Sequence, residues 1–351
     1  MTLFTDLLKG AWRRAVPERR RAGIALAVER AGDYLRYLAV RSKLLGLFAR
    51  VGIRPHALFI EGTNICNARC VFCAYPQMER PKATMPQELF AKVVDEYLAL
   101  GRGEIDLTPI VGDPFVDKHL FERLDLLAAR TDVTGFHFYS NVILMKPEAI
   151  RRLVGYDRRF TIFCSFGGFD RETYRVVMGV DKFEEAVANI RALIEAKAAA
   201  GSAINVQVNL RIPQGNMKGE FADYLMEKQS AGLIRVDGVD NFDNWGGKIS
   251  DAVLAVAGLV PAPVPDHRGP CFRLLTGPTV LADGRVNACC CRDVEATLII
   301  GDVRARPLKD ILSGPEIKDL IARHERGDFP EACKACTRYE TIIPSRERLF
   351  P

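Results

Sequence analysis

The chain of 351 residues is 48% apolar and 26% charged, with ten cysteines and a formal net charge of +5. That composition excludes an intrinsically disordered polymer and supplies a full core, and the length exceeds what one ordinary domain needs. The basic character is local: residues 1–50 carry eleven Lys or Arg against four acids, a net of +7, so the remainder sums to about −2.

Residues 1–50 read as helical, with Leu26, Val28, Tyr34, Leu35, Leu38, Leu44 and Leu45 spaced for apolar faces between arginines, and Pro17 separating two helices. Such a segment suits a solvated arm packed on the main domain, or a helix that meets a membrane surface or a protein partner. Nucleic acid is not expected as a partner, because the arginines alternate with aliphatic residues rather than building an aromatic and basic platform. No long apolar run precedes Arg19, Arg20 and Arg21, so no signal peptide is expected, and no stretch is apolar enough to span a bilayer. A cytoplasmic location follows, where reduced cysteines serve as metal ligands or catalytic groups rather than as disulfides.

From residue 57 the pattern alternates between short β-prone runs and helical stretches, as in parallel strands joined by right-handed crossovers. Strands are predicted at 57–63, 104–110, 135–140, 160–165, 204–212 and 233–239. Helices are predicted near 86–100, 117–130, 147–153, 181–199 and 218–229, with Pro86, Pro147 and Asp181 at their starts. The fold class expected is α/β: a partial (β/α)6 TIM-like barrel over residues 51–250, preceded by the N-terminal helical arm. After Trp245 the alternation stops, and Pro261, Pro263 and Pro265 mark a linker into a small C-terminal module at 265–345, which holds six of the ten cysteines.

Immediately after the first strand come Gly62, Thr63, Asn64, Ile65, Cys66, Asn67, Ala68, Arg69, Cys70, Val71, Phe72 and Cys73. Three soft thiolates on one short loop suit an iron–sulfur cluster or zinc, and they can hold three corners of a cubane while leaving the fourth metal open. A zinc knuckle would need one further ligand, and no histidine is near in sequence. The spacing of three residues and then two, placed after the first strand of a barrel, resembles the radical S-adenosylmethionine (SAM) superfamily. The resemblance implies a 4Fe–4S cluster on Cys66, Cys70 and Cys73, whose open iron binds the amino and carboxylate groups of SAM. Reduction then splits a carbon–sulfur bond to release a 5′-deoxyadenosyl radical.

Carried over residue by residue, Phe72 matches the aromatic position near the adenine. Gly112 and Asp113 stand where relatives have a Gly-Gly-Glu-Pro turn that meets the substrate amine. Ser165 could bond the ribose or the carboxylate, although Gly167 replaces the Asp expected two positions later. Asn141, Asn209 and Arg211 are candidate cofactor contacts near the ends of the third and fifth strands, or equally polar groups satisfied at a barrel rim. Cys164, among apolar neighbours, reads as a core thiol.

The C-terminal module offers Cys271, Gly284, Cys289, Cys290, Cys291, Cys333 and Cys336, with a hairpin at 279–288 turning at Asp283 and Gly284. This arrangement resembles the SPASM and twitch extensions of radical SAM enzymes. It implies one auxiliary 4Fe–4S cluster on Cys271, Cys289, Cys333 and Cys336, with Cys290 or Cys291 as alternatives to Cys289. Four cysteines ending in C-x-x-C also satisfy structural zinc. The segment Asn244, Trp245, Gly246, Gly247 recurs in such relatives too. The expected activity is hydrogen abstraction from a small-molecule or lipid-linked metabolite, with electrons from a flavodoxin or ferredoxin. A peptide-modifying maturase and a non-catalytic zinc or iron–sulfur module are the alternatives.

Overall fold

The computed structural model describes residues 57–342 except 109, 266 and 268, together with positions 31, 38 and 55, so the helical arm expected over residues 1–50 lies almost wholly outside the described residues. Six parallel strands follow the chain in order: β1 (Ala57–Ile60), β2 (Gly103–Asp106), β3 (Val133–Ser140), β4 (Phe160–Phe166), β5 (Asn205–Leu210) and β6 (Arg235–Asp237). Between them run the crossover helices α1 (Gln87–Leu98), α2 (Leu120–Ala129), α3 (Pro147–Leu153), α4 (Arg171–Met178), α5 (Phe183–Ala199) and α6 (Glu220–Ser230). The strand–helix alternation is the partial barrel that the sequence pattern implies.

Strands β1, β4 and β5, and β3 from Phe136 onward, alternate with period two. Phe136, Phe138, Phe160, Ile162, Val206 and Val208 are buried against Leu124, Leu127, Leu153, Ile190 and Leu193 of the helices, forming the core between sheet and helical layer. Cys164 belongs to this face and is fully buried. The intervening residues, His137, Tyr139, Phe163, Ser165, Gln207 and Asn209, face the barrel interior.

Helix α4 was not anticipated between the fourth strand and the helix near 181–199. Its apolar stripe is only Tyr174, Val177 and Met178, set among Arg171, Glu172 and Arg175, too short to register as a period. Asp170 caps it by accepting from Thr173 N at 2.8 Å.

Beyond β6 lie α7 (Asp251–Val256) and α8 (Arg273–Thr276), then β7 (Thr279–Val280), β8 (Arg285–Asn287) and β9 (Ile299–Asp302). Helices α9 (Leu308–Leu312), α10 (Pro315–Glu325) and α11 (Glu331–Lys334) complete the described chain. The hairpin expected at 279–288 is present, turning through Gly284 at φ +90°. It does not stand apart from the barrel: β7 pairs in parallel with β1, Phe59 opposite Thr279 and Ile60 opposite Val280. One nine-stranded sheet results, in the order β6-β5-β4-β3-β2-β1-β7-β8-β9. Among the described residues, no helix is long and apolar enough to cross a membrane.

Candidate active site

The cysteine loop leaves β1 at the C-terminal edge of the sheet, where barrels of this type keep their chemistry. Two neighbouring strand ends and one helix end fix it. Gly112, at φ +115°, lies so close that an added Cβ would sit 2.2 Å from the Thr63 carbonyl oxygen, and Asp113 N donates to Ile65 O at 2.9 Å. Asn141, just after β3, donates through Nδ2 to Asn67 Oδ1 at 2.8 Å, and the return bond is 3.4 Å. The end of α4 accepts from the loop: Arg69 N donates to Met178 O at 3.2 Å and Val71 N to Val177 O at 3.0 Å.

Cys66, Cys70 and Cys73 are half-buried on this loop. Burial, reinforced by the Asp113 charge, pushes the Cys66 thiol up to about 12. Burial likewise pushes Cys73 up to about 11, and Cys70 well above its ordinary range with the neighbouring thiols adding to it. Backbone amides oppose this, since Ala68 N donates to Cys66 Sγ at 3.5 Å and Tyr75 N to Cys73 Sγ at 3.4 Å. Amides aimed at sulfur stabilise anionic thiolates, which is the state a metal requires.

Asp113 does not present a free carboxylate. Its Oδ2 accepts from Ser140 Oγ and Asn141 N, both at 2.9 Å, its Oδ1 accepts from Phe115 N at 3.0 Å, and it is buried. Burial raises its pKa against those three bonds. Asp113 caps the short turn at Pro114–Val116 and ties Asn141 to the cysteine loop.

On the opposite side of the opening, Arg211 donates to Ser165 Oγ at 3.0 and 3.3 Å, with its guanidinium 5.5 Å from the Phe72 ring centroid. Among the described residues no carboxylate pairs with it, and burial lowers its pKa. Asn209 Oδ1 is buried without a hydrogen-bond partner. A buried orphan acceptor beside an unpaired cation is costly unless a ligand answers both. Gly167 has no room for the family's carboxylate, because a Cβ there would lie 2.5 Å from Met178 Cγ.

Deeper in the interior, positions that no motif marks also converge. His137 Nε2 lies 3.2 Å from Asp106 Oδ2, Gln207 hydrogen-bonds Asp237, and Tyr139 stacks on Phe163 at 4.3 Å. The only sequence signal for them was their parity on predicted strands.

The second group of cysteines surrounds a small hollow lined by Cys271, Cys289, Cys291, Cys333 and Cys336, with Arg273, Arg292 and Arg338 around it. Cys290 turns the other way, fully buried, with its Sγ 3.0 Å from where a Cβ on Gly277 would lie. Cys291 is drawn down to about 6, first by a hydrogen bond from Cys290 and then by the three arginines. Cys289 is pushed up to about 12 by burial. Among the described residues no three His, Cys, Asp or Glu side chains gather closely enough to hold a single metal ion. The soft thiols grouped at each site are donors of the kind that an iron–sulfur cluster takes.

Known proteins agree with this geometry. Residues 60–206 match the Radical SAM superfamily model, and residues 271–337 match SPASM, an iron–sulfur cluster-binding domain. The chain belongs to the radical SAM superfamily of enzymes and carries a C-terminal SPASM domain, which brings a SAM-binding 4Fe–4S cluster, SAM and auxiliary iron–sulfur binding.

Among curated proteins, GTP 3′,8-cyclase of Desulforamulus reducens is 26% identical over 173 residues, 48% of this chain and 50% of the relative. A probable GTP 3′,8-cyclase of Saccharolobus islandicus is 29% identical over 150 residues, 42% of this chain and 46% of the relative. The chain thus spans about half the length of the curated relatives it matches. Two solved structures share the fold at 13% identity. BtrN in complex with AdoMet and 2-DOIA has a TM-score of 0.53 over 80% of this chain and 92% of BtrN. Streptococcus suis SuiB bound to precursor peptide SuiA has a TM-score of 0.56 over 84% of this chain and 72% of SuiB.

Proposed function

We propose that this protein reductively cleaves SAM and uses the 5′-deoxyadenosyl radical to abstract hydrogen from a small-molecule or lipid-linked metabolite. The observation that carries the reading is the meeting, at one set of strand ends, of three thiols with an unpaired guanidinium at Arg211 and an orphan amide oxygen at Asn209. When bound, a reduced cluster at Cys66, Cys70 and Cys73 supplies the electron that breaks the carbon–sulfur bond. Arg211, braced by Ser165, offers charge-assisted donors to a carboxylate, and Asn209 accepts from an amine or hydroxyl. Phe72 provides an apolar face for an adenine, and Asn141 keeps the cysteine loop in place.

The interior polar groups favour a small substrate. Asp106 with His137, and Gln207 with Asp237, are hydrogen-bonding pairs suited to hydroxyl or amino substituents, beside the Tyr139 and Phe163 rings. Cys271, Cys289, Cys333 and Cys336 are the four ligands of one auxiliary 4Fe–4S cluster, fully coordinated and therefore suited to electron transfer rather than to substrate binding. A cytosolic flavodoxin or ferredoxin serves as reductant.

The test is anaerobic reconstitution with iron and sulfide, iron counting, and assay for 5′-deoxyadenosine with dithionite. About eight irons per chain and SAM turnover support the reading, and about four remove the auxiliary cluster from it. Specific binding of a peptide encoded beside the gene would replace the metabolite by a peptide substrate.

A further inference from the structure

Asp243, Trp245 and Arg292 form the partition between the two groups of cysteines. Trp245 reaches toward the first: its Nε1 donates to Phe72 O at 2.7 Å, one residue before Cys73. Arg292 lies over the Trp245 ring, its Cζ 4.6 Å from the centroid. The same guanidinium lines the hollow of the second group and donates to Cys291 O at 2.7 Å and Asp243 Oδ2 at 2.6 Å. Asn244, between the acid and the tryptophan, is bound to Ala335 O at 2.7 Å and to Thr337, fixing the strap against the Cys333–Cys336 turn. Trp245 holds a left-handed backbone at φ +51°, a conformation that a bulky residue keeps only under tertiary restraint.

Both groups of thiols lie against this pair: Trp245, under the Arg292 guanidinium, is bonded to the residue before Cys73, and Arg292 itself lines the hollow of the second group. Cluster potentials respond to nearby charge, because reduction adds an electron to a buried centre. Arginine, unlike lysine, cannot shed its proton to escape a desolvated position.

We propose that the Arg292–Asp243 pair is a redox-tuning device shared by both cluster sites, in which the guanidinium favours the reduced state of each cluster and the carboxylate moderates it. The inference rests on the reading that each group of cysteines holds a cluster. Both residues act through charge and position, and neither is assigned contact with substrate.

The experiment is an anaerobic EPR-monitored redox titration of the reconstituted full chain without SAM, comparing wild type with Arg292→Gln, Arg292→Lys and Asp243→Asn. Removing the cation lowers both midpoints and removing the anion raises both, with the Lys variant, which can lose its proton here, between wild type and Arg292→Gln. A tenfold change in the reduction equilibrium is expected at the auxiliary cluster, about 59 mV for one electron, and a smaller change of the same sign at the other. Midpoints that stay put, move at one cluster alone, or move in the same direction in Arg292→Gln and Asp243→Asn would overturn the proposal. Should Arg292→Gln fail to fold, the upward shift in Asp243→Asn still decides it. The iron count of the wild type judges the two-cluster reading separately: eight irons with unmoved midpoints rejects only the tuning role, whereas four rejects both.

Discussion

Glu61 and Arg80 form a buried ion pair that joins the start of the cysteine loop to its far end, with side chains 0% and 7% exposed. Glu61 Oε1 also accepts from Ala282 N at 3.2 Å, and Arg80 Nε donates to Val294 O at 2.7 Å, so the pair fastens the loop to the C-terminal hairpin. Replacing Arg80 by Met leaves a desolvated carboxylate without a partner. A loss of about 3–5 kcal/mol in denaturant stability is expected, and Glu61→Gln in the same chain should restore part of it, as measured by urea unfolding.

Gly167→Asp restores the carboxylate found in many relatives but collides with Met178, 2.5 Å from an added Cβ. Overpacking here should cost about 1–3 kcal/mol. Because Met178 carries the carbonyl that holds Arg69 N, the variant should also assemble less of the first cluster. Adding Met178→Ala opens the space, so the double variant should be less destabilised than the sum of the singles in a thermodynamic cycle.

The three consecutive cysteines should separate by iron content. Cys289→Ser is expected to halve bound iron from about eight to about four per chain, because the proposed assignment makes it a ligand of the auxiliary cluster. Cys290→Ser, whose side chain packs on Gly277 away from the hollow, should keep its iron. Cys291→Ser should keep it too under the proposed assignment of Cys271, Cys289, Cys333 and Cys336 as the four ligands. Iron loss in Cys291→Ser with retention in Cys289→Ser would transfer the ligand role to Cys291.

His324 is fully buried, and neither ring nitrogen has a hydrogen-bond partner. Burial first, and then the Arg323 and His267 charges, draw its pKa from 6.5 down to about 4. The imidazole is neutral in both states above pH 6.5, so the full stability is present there. Between pH 6.5 and 4 only the unfolded chain takes up the proton, and stability falls with pH by about 1.4 kcal/mol per unit from this group. His324→Leu should flatten that part of the stability profile relative to wild type, measured by urea titrations at pH 7 and pH 5.

The barrel and its chemistry were legible because they are written locally. The strand–helix alternation carries the topology, and the C-x-x-x-C-x-x-C spacing carries the first metal site without any tertiary information. Pairings between distant segments were not legible. That Asp113 accepts from Ser140 and Asn141, which come from another strand, could not be read from its own Gly-Asp-Pro turn. Arg292 and Asp243 are ordinary charged residues until folding places one guanidinium between two groups of thiols. The parity that turns Cys289 and Cys291 inward and Cys290 outward needs the hairpin's orientation, which three identical residues in a row cannot encode.

The parallel contact of β7 with β1 means that the strand launching the cysteine loop is interior to its sheet rather than a border. A chain stopped before residue 271 would leave β1 with a bare row of amides and carbonyls, an open template for another polypeptide to dock on. Cutting away or transplanting the C-terminal segment therefore uncovers the very strand from which the first set of sulfur ligands departs.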